Sequence, residues 1–119
     1  MTVLVVGAGP TGLCAAALLA GYGIPTTVVE RRGEPYPLPR AVHLDDEAMR
    51  ILQAAGVAAD FLPLTRPGRG MRLLDAHHEV IAQFDRSPAA GRHGYPQSNM
   101  FDQPDLERLL VSGGGEARR

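Results

Sequence analysis

The chain has 119 residues, 12 basic and 13 acidic, with a formal net charge of −1, a length that fits one small domain or part of a larger one. Acids and bases are interspersed, so nothing points to nucleic acid or an anionic membrane. No apolar run approaches the ~20 residues that span a bilayer, no secretory signal is visible, and the lone Cys14 allows no internal disulfide or metal cluster; a soluble, cytoplasmic protein is predicted.

Val3 to Val6 is a continuous apolar run, the pattern of a strand covered on both faces in a parallel sheet. It enters Gly7-Ala8-Gly9-Pro10-Thr11-Gly12, a full G-x-G-x-x-G. A helix-forming run follows and ends near Tyr22-Gly23, where glycine can adopt the left-handed C′ conformation. Pro25 precedes the β-branched run Thr26 to Val29, a second parallel strand, and Glu30 closes it about 20 residues beyond the motif. The strand, turn, helix, strand and acidic residue agree in type and spacing with a dinucleotide-binding β-α-β unit. Gly7 permits the tight turn, Gly9 removes the Cβ that would obstruct a pyrophosphate, and Gly12 lets the helix lie close to the sheet. The helix N-terminus offers free N–H groups and a positive dipole end to the diphosphate. Glu30 can accept hydrogen bonds from an adenosine ribose and disfavours a 2′-phosphate there, so the dinucleotide is NAD or FAD rather than NADP.

Arg31 to Pro39 is rich in proline and charge and marks an irregular surface segment before Arg40. Asp45, Asp46 and Glu47 then supply an N-cap and an acidic first turn. Three consecutive carboxylates at a helix start compensate the dipole rather than bind a metal. The helix they open carries Ala48, Ile51, Leu52 and Ala55 as its apolar stripe and ends at Gly56. Val57 to Leu62 can add one more turn before Pro63. Met71 to Leu74 and Val80 to Phe84 are two strand candidates joined by a polar turn, an antiparallel hairpin. His77 and His78 occupy that turn as solvated residues. A last helix begins around Gln103, with Pro104 in its first turn and Leu106, Leu109 and Leu110 as its buried stripe.

GAGPTG at 7–12, VVER at 28–31, PRAVHLDDEAMRIL at 39–52 and FDQPDLERLL at 101–110 together resemble the N-terminal part of the single-component flavoprotein aromatic hydroxylases. Within that family, Pro39-Arg40-Ala41, Asp45-Asp46-Glu47, Met71-Arg72 and the Gln103-Pro104 helix start are most similar to the 3-(3-hydroxyphenyl)propionate hydroxylase branch. The resemblance implies FAD as cofactor, NAD(P)H as reductant, and O2 and a small phenolic or aromatic molecule as substrates. It also implies that Gly7, Ala8, Gly9, Pro10, Thr11 and Gly12 form the turn around the FAD diphosphate. Glu30 would hold the adenosine ribose with Arg31 beside it, Arg40 would contact the diphosphate and ribityl region, and Gln103 would hydrogen-bond the extended FAD chain. Val42 and His43 would lie toward the flavin and substrate. No catalytic side chain is assigned; the redox chemistry would be the cofactor's own.

The expected fold is α/β: a Rossmann-like β-α-β FAD-binding unit with an additional β-hairpin, incomplete, as the N-terminal portion of a larger fold. Residues 1–111 are expected to form a partial FAD-binding domain. The glycine-rich, basic stretch 112–119 is expected to be a disordered or non-native tail, the end of a truncated or frameshifted reading frame or of a fragment. On this reading the chain alone hydroxylates nothing and holds FAD weakly or not at all. A segment of another FAD-dependent oxidoreductase and a non-catalytic remnant or nucleotide-binding module remain as alternatives.

Overall fold

The computed structural model describes residues 1–34, 36–38 and 40–113. Strands β1 (Val3–Val6) and β2 (Thr26–Val29) pair in parallel, with Val3 opposite Thr26 and Val6 opposite Val29. Helix α1 (Pro10–Gly21) connects them. It ends as expected at Gly23, whose φ of 71° brings its N–H to Ala20 O at 2.9 Å and that of Ile24 to Leu19 O at 3.0 Å, closing orphan carbonyls of the last turn.

After a short strand β3 (His43–Leu44), Asp45 caps α2 (Asp46–Ala54): its Oδ1 accepts the Ala48 N–H at 2.7 Å. Gly56, at φ 81°, turns the chain into α3 (Ala58–Phe61). This continues into a 3₁₀ turn over Leu62–Leu64 that takes in Pro63, so the helical segment runs slightly beyond the expected stop. The tiny strand β4 (Arg66–Pro67) follows. The hairpin β5 (Gly70–Leu74) and β6 (Val80–Asp85) pairs antiparallel, with Met71 opposite Phe84. At its tip Asp75 Oδ1 accepts the N–H groups of His77 and Glu79, which leaves both histidines as turn residues.

Strand β7 (Asn99–Met100) lies between β3 and β4, antiparallel to both. Sequence pattern does not announce this three-stranded sheet, because strands of two residues carry no period. Helix α4 (Gln103–Gly113) passes the expected break at Ser112 and includes both Ser112 and Gly113. The rest of the expected tail, 114–119, lies outside the described residues.

The core is mainly helical. Leu13 of α1, Met49 and Leu52 of α2, Val57, Ala58 and Phe61 around α3, Phe101, and Leu106 and Leu110 of α4 form one buried cluster. Phe61 is fully buried and meets Phe101 edge-on, with ring centroids 5.6 Å apart, the arrangement aromatic quadrupoles favour. The buried edge of α2 is Met49–Leu52, whereas the expected stripe member Ile51 is 51% exposed. Two apolar edges of α2 share Leu52, and the turn at Gly56 folds α3 against the Met49 side.

The β1–β2 sheet is covered by α1 on one face only. Leu4 and Val6 on the other face remain 61% and 80% exposed, so the two-sided burial that the apolar run predicts is not reached among the described residues. Fully burying such side chains is worth ~1.5–3 kcal/mol each, and the helical cluster therefore carries most of the packing free energy.

Phe61→Ala is expected to cost about 3–5 kcal/mol, and Ile51→Ala less than about 1 kcal/mol, in urea unfolding. Equal losses would contradict the assignment of the buried edge.

Candidate dinucleotide-binding site

The glycine turn is built by two steric facts. Gly7 sits at φ 107°, a conformation L side chains rarely adopt, and its N–H donates to Val29 O at 2.7 Å. A Cβ on Gly12 would collide with the Gly7 carbonyl oxygen and stand 3.3 Å from Val5 Cγ1. The start of α1 therefore lies against the end of β1 as closely as the backbone allows.

Gly9 is the N-cap of α1 in extended conformation, and a Cβ there would meet nothing within 4 Å. Pro10 takes the first helical position, where its missing N–H costs nothing. Among the described residues no side chain caps the helix, and its first turn holds no acidic residue. The first-turn N–H groups and the positive dipole end face an open approach over glycine, which suits a diphosphate. The residues present fit the cofactor that the motif implies.

Glu30, just past β2, reaches back to this turn. Its Oε2 accepts the Ala8 N–H at 2.9 Å and its Oε1 the Arg32 N–H at 3.0 Å. These two bonds, that of Ala8 first, hold the carboxyl below its ordinary range, because N–H donors favour the charged form. Both oxygens keep lone pairs for further donors.

Beyond Glu30 the contacts continue through side chains. The guanidinium carbons of Arg32 and Arg40 lie 4.6 and 4.7 Å from the Tyr36 ring centroid, within cation–π range. Gln103 Oε1 accepts the N–H groups of Arg40 at 3.0 Å and Ala41 at 2.9 Å, and its Nε2 donates to Glu107 Oε1 at 2.7 Å. Gln103 and Glu107 are each 6% exposed. Next in the chain, the Phe101 N–H donates to Val42 O at 3.0 Å.

Of the expected site residues, Ala8, Glu30, Arg40 and Gln103 are thus joined by one succession of contacts, which runs through Arg32 and Tyr36. Thr11 is exposed in the first turn of α1, and Arg31 is exposed beside Glu30. Sequence reasoning missed Arg32, Tyr36 and Glu107. An aromatic between two arginines hints at the stack, and the 103, 107, 110 spacing on one helix face hints at Glu107. Cys14 is half-buried and burial raises its thiol pKa, consistent with a packing role. Two clefts, of about 280 Å³ beside Tyr95 and about 330 Å³ on the hairpin, do not include the glycine turn. Among the described residues no three His, Cys, Asp or Glu side chains are grouped to hold a metal, and no helix is long and apolar enough to cross a membrane.

Residues 1–117 match the family model described as an FAD binding domain. The chain is 44% identical over 111 residues to a 3-(3-hydroxy-phenyl)propionate/3-hydroxycinnamic acid hydroxylase of Mycobacterium avium, a match covering 93% of this chain and 19% of that protein. It spans about a fifth of that relative's length. Among solved structures, p-nitrophenol 4-monooxygenase of Pseudomonas putida superposes with a TM-score of 0.78 at 26% identity, over 94% of this chain and 29% of that one. An aklavinone-11 hydroxylase in complex with FAD and aklavinone gives 0.72 at 29% identity, over 95% and 23%.

Because the folded-state pKa of Glu30 is lowered, its hold on the turn is fully present above the ordinary carboxylate value of about 4.3. That hold is lost as pH falls through the lowered value. The Ala8 amide resonance should move in that acid window and stay put in Glu30→Gln; a midpoint at or above the ordinary value would contradict the contact.

Proposed function

The chain belongs to the FAD-binding domain family, and from that premise we propose that it is the part of an aromatic-ring hydroxylase that grips the diphosphate and adenosine end of FAD. The observation that supports this reading best is the succession of contacts that ties the glycine turn to Arg40 and Gln103. A bare nucleotide-binding turn does not require the second half of that succession.

In this reading the backbone of Gly7, Ala8, Gly9, Pro10, Thr11 and Gly12 receives the diphosphate at the α1 N-terminus. Glu30 accepts from the adenosine ribose hydroxyls while its bonds to Ala8 and Arg32 keep the carboxylate charged and aimed. Arg31 stands beside it, exposed to solvent. Arg40 offers its planar donor fork to phosphate oxygens, with its backbone fixed by Gln103 and its guanidinium against Tyr36. Gln103 Nε2 has one N–H beyond the bond to Glu107, and this is the donor it can give the FAD chain.

Bound FAD would supply the redox chemistry, taking a hydride from NAD(P)H so that one oxygen atom of O2 enters a phenolic ring and the other leaves as water. No side chain of this chain is assigned a proton or a bond in that reaction. A small phenolic substrate is favoured by the hydroxyphenylpropionate hydroxylase relative; the nucleotide reductant and a cytoplasmic setting belong to the same proposal. The open sheet face at Leu4 and Val6 and the surface-open cradle argue that the chain alone holds FAD weakly.

Titration of FAD with the chain, followed by flavin fluorescence, tests this. Arg40→Ala should weaken binding at least about tenfold, the worth of a charge-assisted hydrogen bond of ~1.5–3 kcal/mol. Binding untouched by both Arg40→Ala and Glu30→Ala would sink the proposed site. Stoichiometric FAD retained through gel filtration would refute the weak-binding part.

A further inference from the structure

Glu107 meets the site only through Gln103, yet it is a carboxylate buried to 6% exposure, an environment in which such groups need a partner. Its hydrogen-bond partner among the described residues is the Gln103 amide, one helical turn away. The donor and acceptor pattern around that amide has a single solution. On one side stand two backbone N–H groups, of Arg40 and Ala41, which can only donate. On the other stands a carboxylate, which can only accept. With Oε1 toward the loop and Nε2 toward Glu107, all three contacts are satisfied. With the amide turned over, an NH2 would face two N–H groups and a carbonyl oxygen would face a carboxylate, so all three would be lost.

We infer that Glu107 is a positioning residue for the cofactor cradle: it fixes the Gln103 amide orientation and, through it, the backbone of Arg40 and Ala41. Among the described residues its hydrogen bond goes to Gln103 and not to Arg40. The linkage spans more than sixty residues of chain, from α4 to the loop before β3, and the Phe101 N–H to Val42 O bond extends it by one residue. Residues 40–42 are pinned along their backbone, while the Arg40 guanidinium stays exposed against the Tyr36 ring. A fixed backbone under a guanidinium already stacked on Tyr36 presents that group at low cost in ordering. The cofactor part of this inference rests on the proposed role of Arg40 in FAD binding; the amide lock itself does not.

The test is a four-variant comparison in the full chain: Glu107→Ala, Glu107→Gln, Gln103→Glu, and the exchange Gln103→Glu/Glu107→Gln. Amide hydrogen exchange at Arg40 and Ala41 is read by NMR, with the amides of α1 as the control for global folding. In Glu107→Ala and in Gln103→Glu, which sets two carboxylates face to face, Arg40 and Ala41 should exchange about tenfold faster, the loss of roughly one net hydrogen bond. Glu107→Gln should lie between these and the parent, since its amide oxygen can still accept. The exchanged pair should recover protection: the carboxylate now at position 103 accepts both loop N–H groups and a third from the amide at 107. Unchanged exchange in Glu107→Ala, or an exchanged pair as unprotected as Gln103→Glu, overturns the lock. An FAD titration of the same proteins separates the two levels. Weaker FAD binding in Glu107→Ala, alongside weaker binding in Arg40→Ala, supports the positioning role. Weaker binding in Arg40→Ala alone overturns that role and leaves the cofactor reading standing. If neither variant moves FAD binding, the reading of Arg40 fails, and hydrogen exchange still decides the lock.

Discussion

The rest of the site depends on one close approach, that of Gly12 to the carbonyl of Gly7. With no Cβ on Gly12, the first turn of α1 can rest on the end of β1; any side chain there would collide with backbone rather than with a movable group. That approach sets the helix N-terminus directly beyond the strand and brings the Ala8 N–H within reach of Glu30 at the end of the neighbouring strand. A helix displaced outward by one side chain would separate the dipole end from the carboxylate, and the two would no longer address one ligand.

From that fixed point the structure extends by side chains that grip backbone. Glu30 takes two N–H groups and Gln103 takes two more. Each ties a stretch lacking regular hydrogen bonding to a helix or strand that has it. This is how the glycine turn and the loop residues Arg40 and Ala41 are held by groups from other elements. The apolar packing lies elsewhere, in the cluster around Phe61, Met49 and Leu110. The glycine turn and the core meet chiefly through α1 and α4, which pack against each other. The two ends of α4 have different tasks: its first turn holds the loop at 40–41, and its later leucines fill the core.

What the sequence made legible was local. The glycine turn, the Asp45 cap and the hairpin with its polar tip can each be read from a few neighbouring residues, since φ limits, orphan N–H groups and period-two alternation all act over short spans. The family resemblance singled out Arg40 and Gln103, and the structure joins the two by a hydrogen bond. What was not legible depends on distant partners. Strands β3, β4 and β7 are too short to show a period and exist because β7 returns between the other two. Ile51 and Met49 are equally good apolar candidates on α2 until α3 chooses a side. Glu107 reads as a charged helix residue until the Gln103 amide beside it is seen holding a loop more than sixty residues away. Tyr36 gains its meaning only when Arg32 and Arg40 come to the same ring.

The most direct test of the central claim, that one continuous surface from the glycine turn to Gln103 receives FAD, is an amide chemical-shift map of the chain titrated with FAD. Shifts concentrated at Gly9, Thr11, Gly12, Arg32, Arg40 and Ala41, with the hairpin from Gly70 to Asp85 silent, are the predicted result. Shifts confined to the hairpin or to the cleft beside Tyr95, with the glycine turn unmoved, would contradict it.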